Sequence, residues 1–81
     1  MERINFEKNR YIWFETNEFL FVVNSRKNNT LYGITYFPEA GTRSEFTYWP
    51  DNAERHIKDK TARLISKNDA VKIMAGCTIV K

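Results

Sequence analysis

The chain has one cysteine, one histidine and three glycines, and these shortages exclude several kinds of site. Cys77 cannot form an intramolecular disulfide, and with His56 it cannot complete a zinc site. The two residues are also expected in different elements, which argues against a Cys-His catalytic pair. The glycines Gly33, Gly41 and Gly76 are isolated, so no glycine-rich phosphate loop is present. We therefore expect no metal and no cofactor.

Carboxylates do not cluster along the sequence either, because they are scattered among lysines and arginines. No acid-base constellation is recognisable, and we predict that the chain is not an enzyme. One alternative stays open. A small metal-independent ribonuclease needs only Tyr, Arg and Lys, which are plentiful here.

Long hydrophobic runs are also lacking, and the N-terminus MERINFEKNR has no apolar core of a signal peptide. These absences predict a cytoplasmic protein without a membrane span. A chain of 81 residues has room for a single domain, 1–81. Such a domain buries only about 60 to 65 % of the surface of its unfolded form, so a homo-oligomer is expected.

Aromatic residues are absent from the last 32 residues, since all twelve lie between Phe6 and Trp49. The charge divides at the same point. Six basic and six acidic residues precede Pro50, whereas seven basic and four acidic residues follow, so the net charge of +3 belongs to the second part. An aromatic sheet followed by a mildly basic helical part suggests a binding protein.

Four segments dense in aromatic and β-branched residues predict an antiparallel meander. They are 11–15, 18–24, 31–37 and 44–49. Thr16-Asn17 predicts a tight turn with Asn17 in the left-handed conformation, and Pro38 to Gly41 predicts a second turn. Residues 24–30 are expected to form a polar loop. Ile4 and Phe6 alternate with polar neighbours and are compatible with a further short strand.

Helical patterns follow the strands. Asp51 and Glu54 have the spacing of a capping box and predict a helix from about Asn52 to Ile65. Its apolar stripe, which includes Ala53 and Ile57, must lie on the sheet.

The end of the chain predicts a short helical turn and a strand. Asn68 is expected to cap a turn over 69–75 that Gly76 ends, and 77–80 is expected to join an open sheet edge. The predicted class is α+β, with a four-stranded antiparallel meander followed by one main helix, a short helical turn and a C-terminal strand.

Both faces of this predicted sheet carry apolar residues. In the second strand Phe19, Phe21 and Val23 oppose Leu20 and Val22. With one substantial helix to cover one face, we expect the other face to meet a second subunit or a ligand. The alternative is a sheet that curls into a partial barrel, which would place both apolar sets in one interior.

Candidate binding residues follow from these patterns. The aromatic candidates for base stacking or a protein interface are Tyr32, Tyr36 and Trp49. Spacing of 100° per residue places His56, Lys60, Arg63 and Lys67 on one helix flank. The predicted nucleic-acid contacts are Arg26, Lys27, Arg43, Lys58, Lys60, Arg63, Lys67 and Lys72. Internal pairing, as between Glu54 and Lys58, is the competing explanation for the helix charges.

The stretch from Tyr32 to Leu64 resembles the sheet-then-helix arrangement of AP2-type and integrase arm-binding domains. The likeness rests on 37–43 (FPEAGTR), 45–49 (EFTYW) and the helix start at 51–54 (DNAE). It implies that a three-stranded sheet reads DNA. Those domains carry arginines along the exposed sheet face, whereas this sheet carries Tyr, Thr and Trp.

The sequence thus favours a small, basic, non-catalytic protein that binds RNA or single-stranded nucleic acid as a homo-oligomer. The alternative is an inhibitor or accessory factor, phage- or antitoxin-like, whose aromatic face covers an acidic or nucleic-acid-acting protein.

Overall fold

A computed structural model of the protein describes residues 10–80, so the possible strand at Ile4 and Phe6 lies outside the described residues. The α+β class is confirmed, with a six-stranded sheet and two helices. The strands are β1 (Arg10–Phe14), β2 (Phe19–Lys27), β3 (Thr30–Phe37), β4 (Thr42–Tyr48), β5 (Ala62–Leu64) and β6 (Ile79–Val80). The helices are α1 (Pro50–Lys58) and α2 (Lys67–Ala75).

The sheet is open, and its strand order is β5-β1-β2-β3-β4-β6. Strands β1 to β4 pair antiparallel with their chain neighbours, β5 adds antiparallel to the outer edge of β1, and β6 adds parallel to β4. Within residues 10–80 the end strands β5 and β6 do not pair with one another, so the partial-barrel alternative is wrong for this part of the chain.

Two of the three hairpin turns differ from the prediction. The first spans four residues, from Glu15 to Glu18, where a tight turn at Thr16-Asn17 was predicted. Glu18, with φ 54°, takes the left-handed conformation expected of Asn17. The polar loop predicted over 24–30 is mostly strand, because β2 and β3 continue to a two-residue turn at Asn28-Asn29, where Asn28 has φ 55°. The turn at Pro38 to Gly41 is confirmed, and Gly41 supplies its positive φ of 67°.

The first helix is much shorter than predicted. It begins at Pro50, directly after Trp49 as N-cap, and no side chain caps it, so the predicted Asp51 cap is wrong. It ends at Lys58, because Lys60 takes a left-handed φ of 64° and turns the chain back. Residues 62–64 then pair with β1, whose outer edge would otherwise leave backbone groups unsatisfied.

The second helix is longer than predicted and starts elsewhere. Its N-cap is Ser66, whose Oγ accepts a hydrogen bond from the Asp69 N–H at 3.2 Å, and Asn68 lies inside the helix. It has nine residues, as many as α1. The predicted short turn is therefore a second full helix, which Gly76 ends as predicted.

The two helices cover opposite faces of the sheet. We call the side of α1 face 1 and the side of α2 face 2. The face 1 core contains Ile12, Phe14, Phe21, Val23, Leu31, Ala53 and Ala62, with Phe19, Tyr48 and Ile57 packed against it. The face 2 core contains Leu20, Val22, Tyr36, Ala70 and Cys77, with Tyr11, Trp13, Ile34, Ile65, Ile73 and Met74 around it.

This layering explains why the sheet is apolar on both sides. Leu20 and Val22 on face 2 pack with α2 residues of the same chain, such as Ala70. The expectation that another subunit or a ligand covers the second face is therefore wrong for the part of face 2 that α2 covers. What is left open is the part of face 2 that α2 does not reach.

Candidate binding surface

The uncovered part of face 2 lies at the end of the sheet where β2 turns into β3. The antiparallel register places Ser25, Tyr32 and Thr47 in one row, and it pairs Lys27 with Thr30 in the next. Trp49 follows Tyr48, the partner of Leu31, so strand alternation places it level with Thr30 and on face 2. We call this surface the open end; its residues are Ser25, Lys27, Thr30, Tyr32, Thr47 and Trp49.

Two aromatic rings stand out on the open end. Tyr32 is 42 % exposed and Trp49 is 58 % exposed, so much of each side chain is available for contact. Both were predicted from the alternation of aromatic and polar residues. A half-exposed Tyr and Trp beside Ser and Thr is a surface suited to stacking with a planar group.

A shallow depression of about 480 Å³ adjoins the open end. Its lining residues are Asn24, Tyr32, Gly33, Ile34, Glu45, Phe46 and Thr47. Asn24 is the extra residue of a β-bulge between Val23 and Ser25, and the bulge interrupts the pairing of β2 with β3 at this point. Gly33 is required here, because a Cβ on it would lie 1.9 Å from the Val22 carbonyl oxygen.

Two polar residues of this depression, Asn24 and Glu45, were not predicted as site residues. Asn24 was placed in a loop, and Glu45 was not considered as a site residue. The paired asparagines at 28 and 29 were the available signal, since Asn-rich two-residue turns favour hairpins and a hairpin would have set the register.

Tyr36 does not belong to the open end, contrary to the prediction. It is only 8 % exposed and packs in the face 2 core, so its ring cannot stack with a ligand. Strand alternation correctly placed Tyr32 and Tyr36 on one face. The difference between them is that α2 covers only one end of that face.

The predicted basic helix flank does not exist. His56, Lys60, Arg63 and Lys67 lie on four different segments because the helix ends at Lys58. The Arg63 Nε lies 2.6 Å from Glu15 Oε1, which neutralises part of its charge. The His56 ring is half-buried against Phe14, and its Nδ1 lies 2.8 Å from Thr61 Oγ1.

The predicted cations divide between the two sides of the sheet. Strand alternation places Lys27 and Arg43 on face 2, and α2, which covers that face, carries the exposed Lys67 and Lys72. Arg43 lies near Cys77. Burial raises the pKa of the Cys77 thiol, and the Arg43 charge opposes that rise.

The remaining predicted cations lie elsewhere. Arg26 is exposed near the end of β2 and alternates onto face 1, where its Nε donates to the Asn28 carbonyl at 3.4 Å. Lys58 ends α1, and Lys60 is exposed in the turn before β5. These three do not join the face 2 cations.

Among residues 10–80, no group of three or more His, Cys, Asp or Glu side chains could hold a metal ion. Neither α1 nor α2 has the length and apolar character needed to cross a membrane. Burial raises the pKa of Tyr48, with Arg55 acting in the opposite direction, so this phenol stays neutral at ordinary pH.

Comparison with protein families, curated proteins and solved structures found no match to this chain. The resemblance to AP2-type and integrase arm-binding domains gains no support from these comparisons. The three-stranded sheet that it implied is here the middle of a six-stranded sheet with a helix on each face.

Proposed function

We propose that this protein is a non-catalytic binder of single-stranded nucleic acid, preferably RNA, and that the strand lies across the open end of face 2. The observation that carries the proposal is the pair of exposed aromatic side chains near Lys27. Trp49 is level with the Lys27–Thr30 pair, and Tyr32 lies in the next row. Bases stack on such rings with little sequence preference.

The charge arrangement supports the same surface. Lys27, Arg43, Lys67 and Lys72 belong to the face 2 side, and each is exposed. They can contact phosphates while the bases stack on the rings. Glu45 and Asp69 lie on the same side and reduce the local field, so the affinity should be modest.

A stacking test compares two exposed aromatics. Tyr32→Ala and Trp49→Ala should each weaken binding of a mixed-sequence RNA by roughly 5- to 150-fold, since stacking contributes about 1 to 3 kcal/mol per base. Phe37→Ala is the control, because Phe37 is similarly exposed but alternates onto face 1. Equal loss in all three variants, or no binding by the native chain at low salt, would remove the proposal.

Salt dependence tests the phosphate contacts. If about four cations contact phosphates, the affinity should fall roughly 50-fold between about 50 and 200 mM salt. Lys27→Gln should reduce that dependence, whereas Lys60→Gln, at an exposed lysine before β5, should leave it unchanged. RNA that is bound and stays uncut over hours also separates this function from a ribonuclease.

A protein partner is the second candidate, and the exposure of Phe46 supports it. Phe46 is 44 % exposed and alternates onto face 1, opposite the face on which a base would stack on Tyr32. An inhibitor or accessory factor would bury this ring against its target. A stoichiometric complex that survives nuclease treatment and is lost in Phe46→Ala would favour this candidate over nucleic acid.

A further inference from the structure

The outer edge of β4 is largely unpaired within residues 10–80. Strand β6 covers it at only two positions, Thr42 and Arg43. Within residues 10–80, no strand pairs with that edge from Ser44 to Tyr48. An uncovered edge strand presents a row of backbone donors and acceptors that another strand can bind.

Pairing with β6 shows which backbone groups point outward. The Ile79 N–H donates to the Gly41 carbonyl at 3.1 Å, so Gly41 faces the outer edge. Alternate residues of a strand direct their N–H and C=O groups to the same side. The outward groups are therefore those of Arg43, Glu45 and Thr47, and Trp49 follows them with an extended backbone.

These constraints favour one of the centres from Glu45 to Tyr48 for a second β4. A centre at Tyr48 would leave Glu45 without a strand residue opposite it, because the second copy is helical from Pro50. A two-fold axis centred on Glu45 would place two carboxylates opposite each other. A centre at Phe46 would set Trp49 against Arg43, whose edge β6 already occupies. A centre at Thr47 pairs Phe46 with Tyr48 and Glu45 with Trp49, and it leaves β6 clear. Pro50, which has no N–H, then lies opposite Ser44, where none is needed.

We propose that the partner on this edge is a second copy of the chain, and that two β4 strands pair antiparallel about Thr47. The two Thr47 residues exchange a pair of backbone hydrogen bonds. Each Trp49 N–H donates to the Glu45 carbonyl of the second copy, whereas the Trp49 carbonyl already accepts from the Ala53 N–H. On face 1, each Phe46 meets the Tyr48 of the second copy.

Side-chain chemistry favours a copy of this chain over an unrelated strand. The register makes two aromatic pairs and one Thr–Thr pair, combinations that stabilise neighbouring strands. It also buries the exposed Phe46 ring of each copy. Like charges never lie directly opposite, because Glu45 faces Trp49.

The dimer joins two open ends into one surface. Tyr32 and Thr47 of one copy continue into Thr47 and Tyr32 of the other, in a single row across four strands on face 2. At about 4.8 Å between strands, the two Tyr32 positions are roughly 14 Å apart. A single strand of nucleic acid could contact both, but the dimer itself does not depend on the proposed function.

Thr47→Pro tests the edge without breaking the fold. Its outward N–H is not needed for pairing with β3, so proline is tolerated, but both central hydrogen bonds are lost. Light scattering on nuclease-treated protein should find the native chain dimeric, with the dimer Kd raised at least roughly 30-fold by Thr47→Pro. Ser25→Pro is unsuitable as a control because β2 is an internal strand. Ser25→Lys and Thr47→Lys form the matched pair instead, since both residues are exposed in one row and only Thr47 lies on the proposed edge.

Cysteine cross-linking tests the register. The paired Thr47 Cα atoms would be about 5.5 Å apart, within disulfide range, so Thr47→Cys should oxidise to a covalent dimer. Glu45→Cys should not, because Glu45 faces Trp49. The native chain, which keeps only the buried Cys77, gives the background.

A monomeric native chain after nuclease treatment would overturn the proposal, as would a Thr47→Pro variant that is folded and still dimeric. Preferential cross-linking through position 45 would overturn the register. Failure of RNA binding leaves all of these readouts unaffected, so the dimer and the proposed function fail separately.

Discussion

The two faces of the sheet are held by different kinds of packing. On face 1 the Phe14 ring lies 4.5 Å from Phe19, 5.4 Å from Tyr48 and 5.4 Å from His56, measured between centroids. On face 2 the fully buried side chains are smaller, namely Leu20, Ala70 and Cys77. Face 1 thus contains large fully buried rings, Phe14 and Phe21, whereas the fully buried side chains of face 2 are small.

The helices differ in a complementary way. The α1 helix has no side-chain N-cap bond and packs on face 1, whereas α2 has the Ser66 cap and packs on face 2. Helices of nine residues are not stable alone in water, so each needs its face. The α1 helix is thus held chiefly by packing, whereas α2 needs its own local hydrogen bonds as well.

The largest expected effect comes from removing the ring at the centre of face 1. Phe14→Ala should cost about 3 to 5 kcal/mol, as truncation of a buried Phe does. A domain of this size has roughly that much stability, so the variant should be largely unfolded by far-UV circular dichroism. Phe37→Ala, which truncates a partly exposed ring, should remain folded; equal loss in both would mean that Phe14 is not the centre.

A smaller effect is expected at the cap of α2. Ser66→Ala removes the acceptor of the Asp69 N–H and should lower the free energy of unfolding by about 1 kcal/mol. Urea denaturation measures it, with Ser25→Ala, at an exposed strand serine, as the control. Amide exchange should quicken in α2 before α1. If α1 exchanges first, the contrast between the helices is wrong.

A stabilising change is expected within face 1. Thr35 is buried, and its Oγ1 has no hydrogen-bond partner. Thr35→Val removes the unsatisfied hydroxyl while keeping the branched shape, and it should raise the free energy of unfolding by about 1 kcal/mol. Thr42→Val is the comparison, at a second buried threonine. Destabilisation by Thr35→Val in urea denaturation would indicate that its hydroxyl is satisfied.

The smallest effect concerns two hairpin turns at the end of the sheet away from the open end. The hydrogen bond and charge of Glu39 raise the pKa of Glu18, with desolvation adding to the rise. A raised folded pKa stabilises the protein below about pH 4, and that contribution is lost as the pH rises through the folded pKa. Glu39→Gln should therefore raise Tm slightly at neutral pH, with the gain vanishing in acid. A gain that persists in acid would contradict the coupling.

Local patterns predicted the parts of the fold that depend on neighbouring residues. Alternation assigned Phe21 and Leu20 to opposite faces, and Pro38 to Gly41 indicated a turn. Whether residues 62–64 form a helix or a strand depends instead on the free edge of β1, which lies far away in the sequence. Nothing in the composition around Lys60 indicates its left-handed backbone. The helix was therefore predicted to continue through this residue.

The candidate site was likewise predictable only where it depends on neighbouring residues. The exposure of Tyr32 and Trp49 was predictable, because it follows from strand alternation and polar neighbours. Tyr36 was misassigned because its burial depends on where α2 crosses the sheet. Arg63 was counted as a nucleic-acid contact because its partner, Glu15, is distant in sequence.

The strand order also has a consequence for how the chain folds. Strands β1 to β4 pair with their nearest neighbours, whereas β5 and β6 return to edges formed much earlier in the sequence. During synthesis the meander can therefore form while α2 is still inside the ribosome, since local contacts close fastest. Leu20 and Val22 then face water until the last segment arrives. That interval, rather than the finished protein, is when this chain is most prone to aggregate.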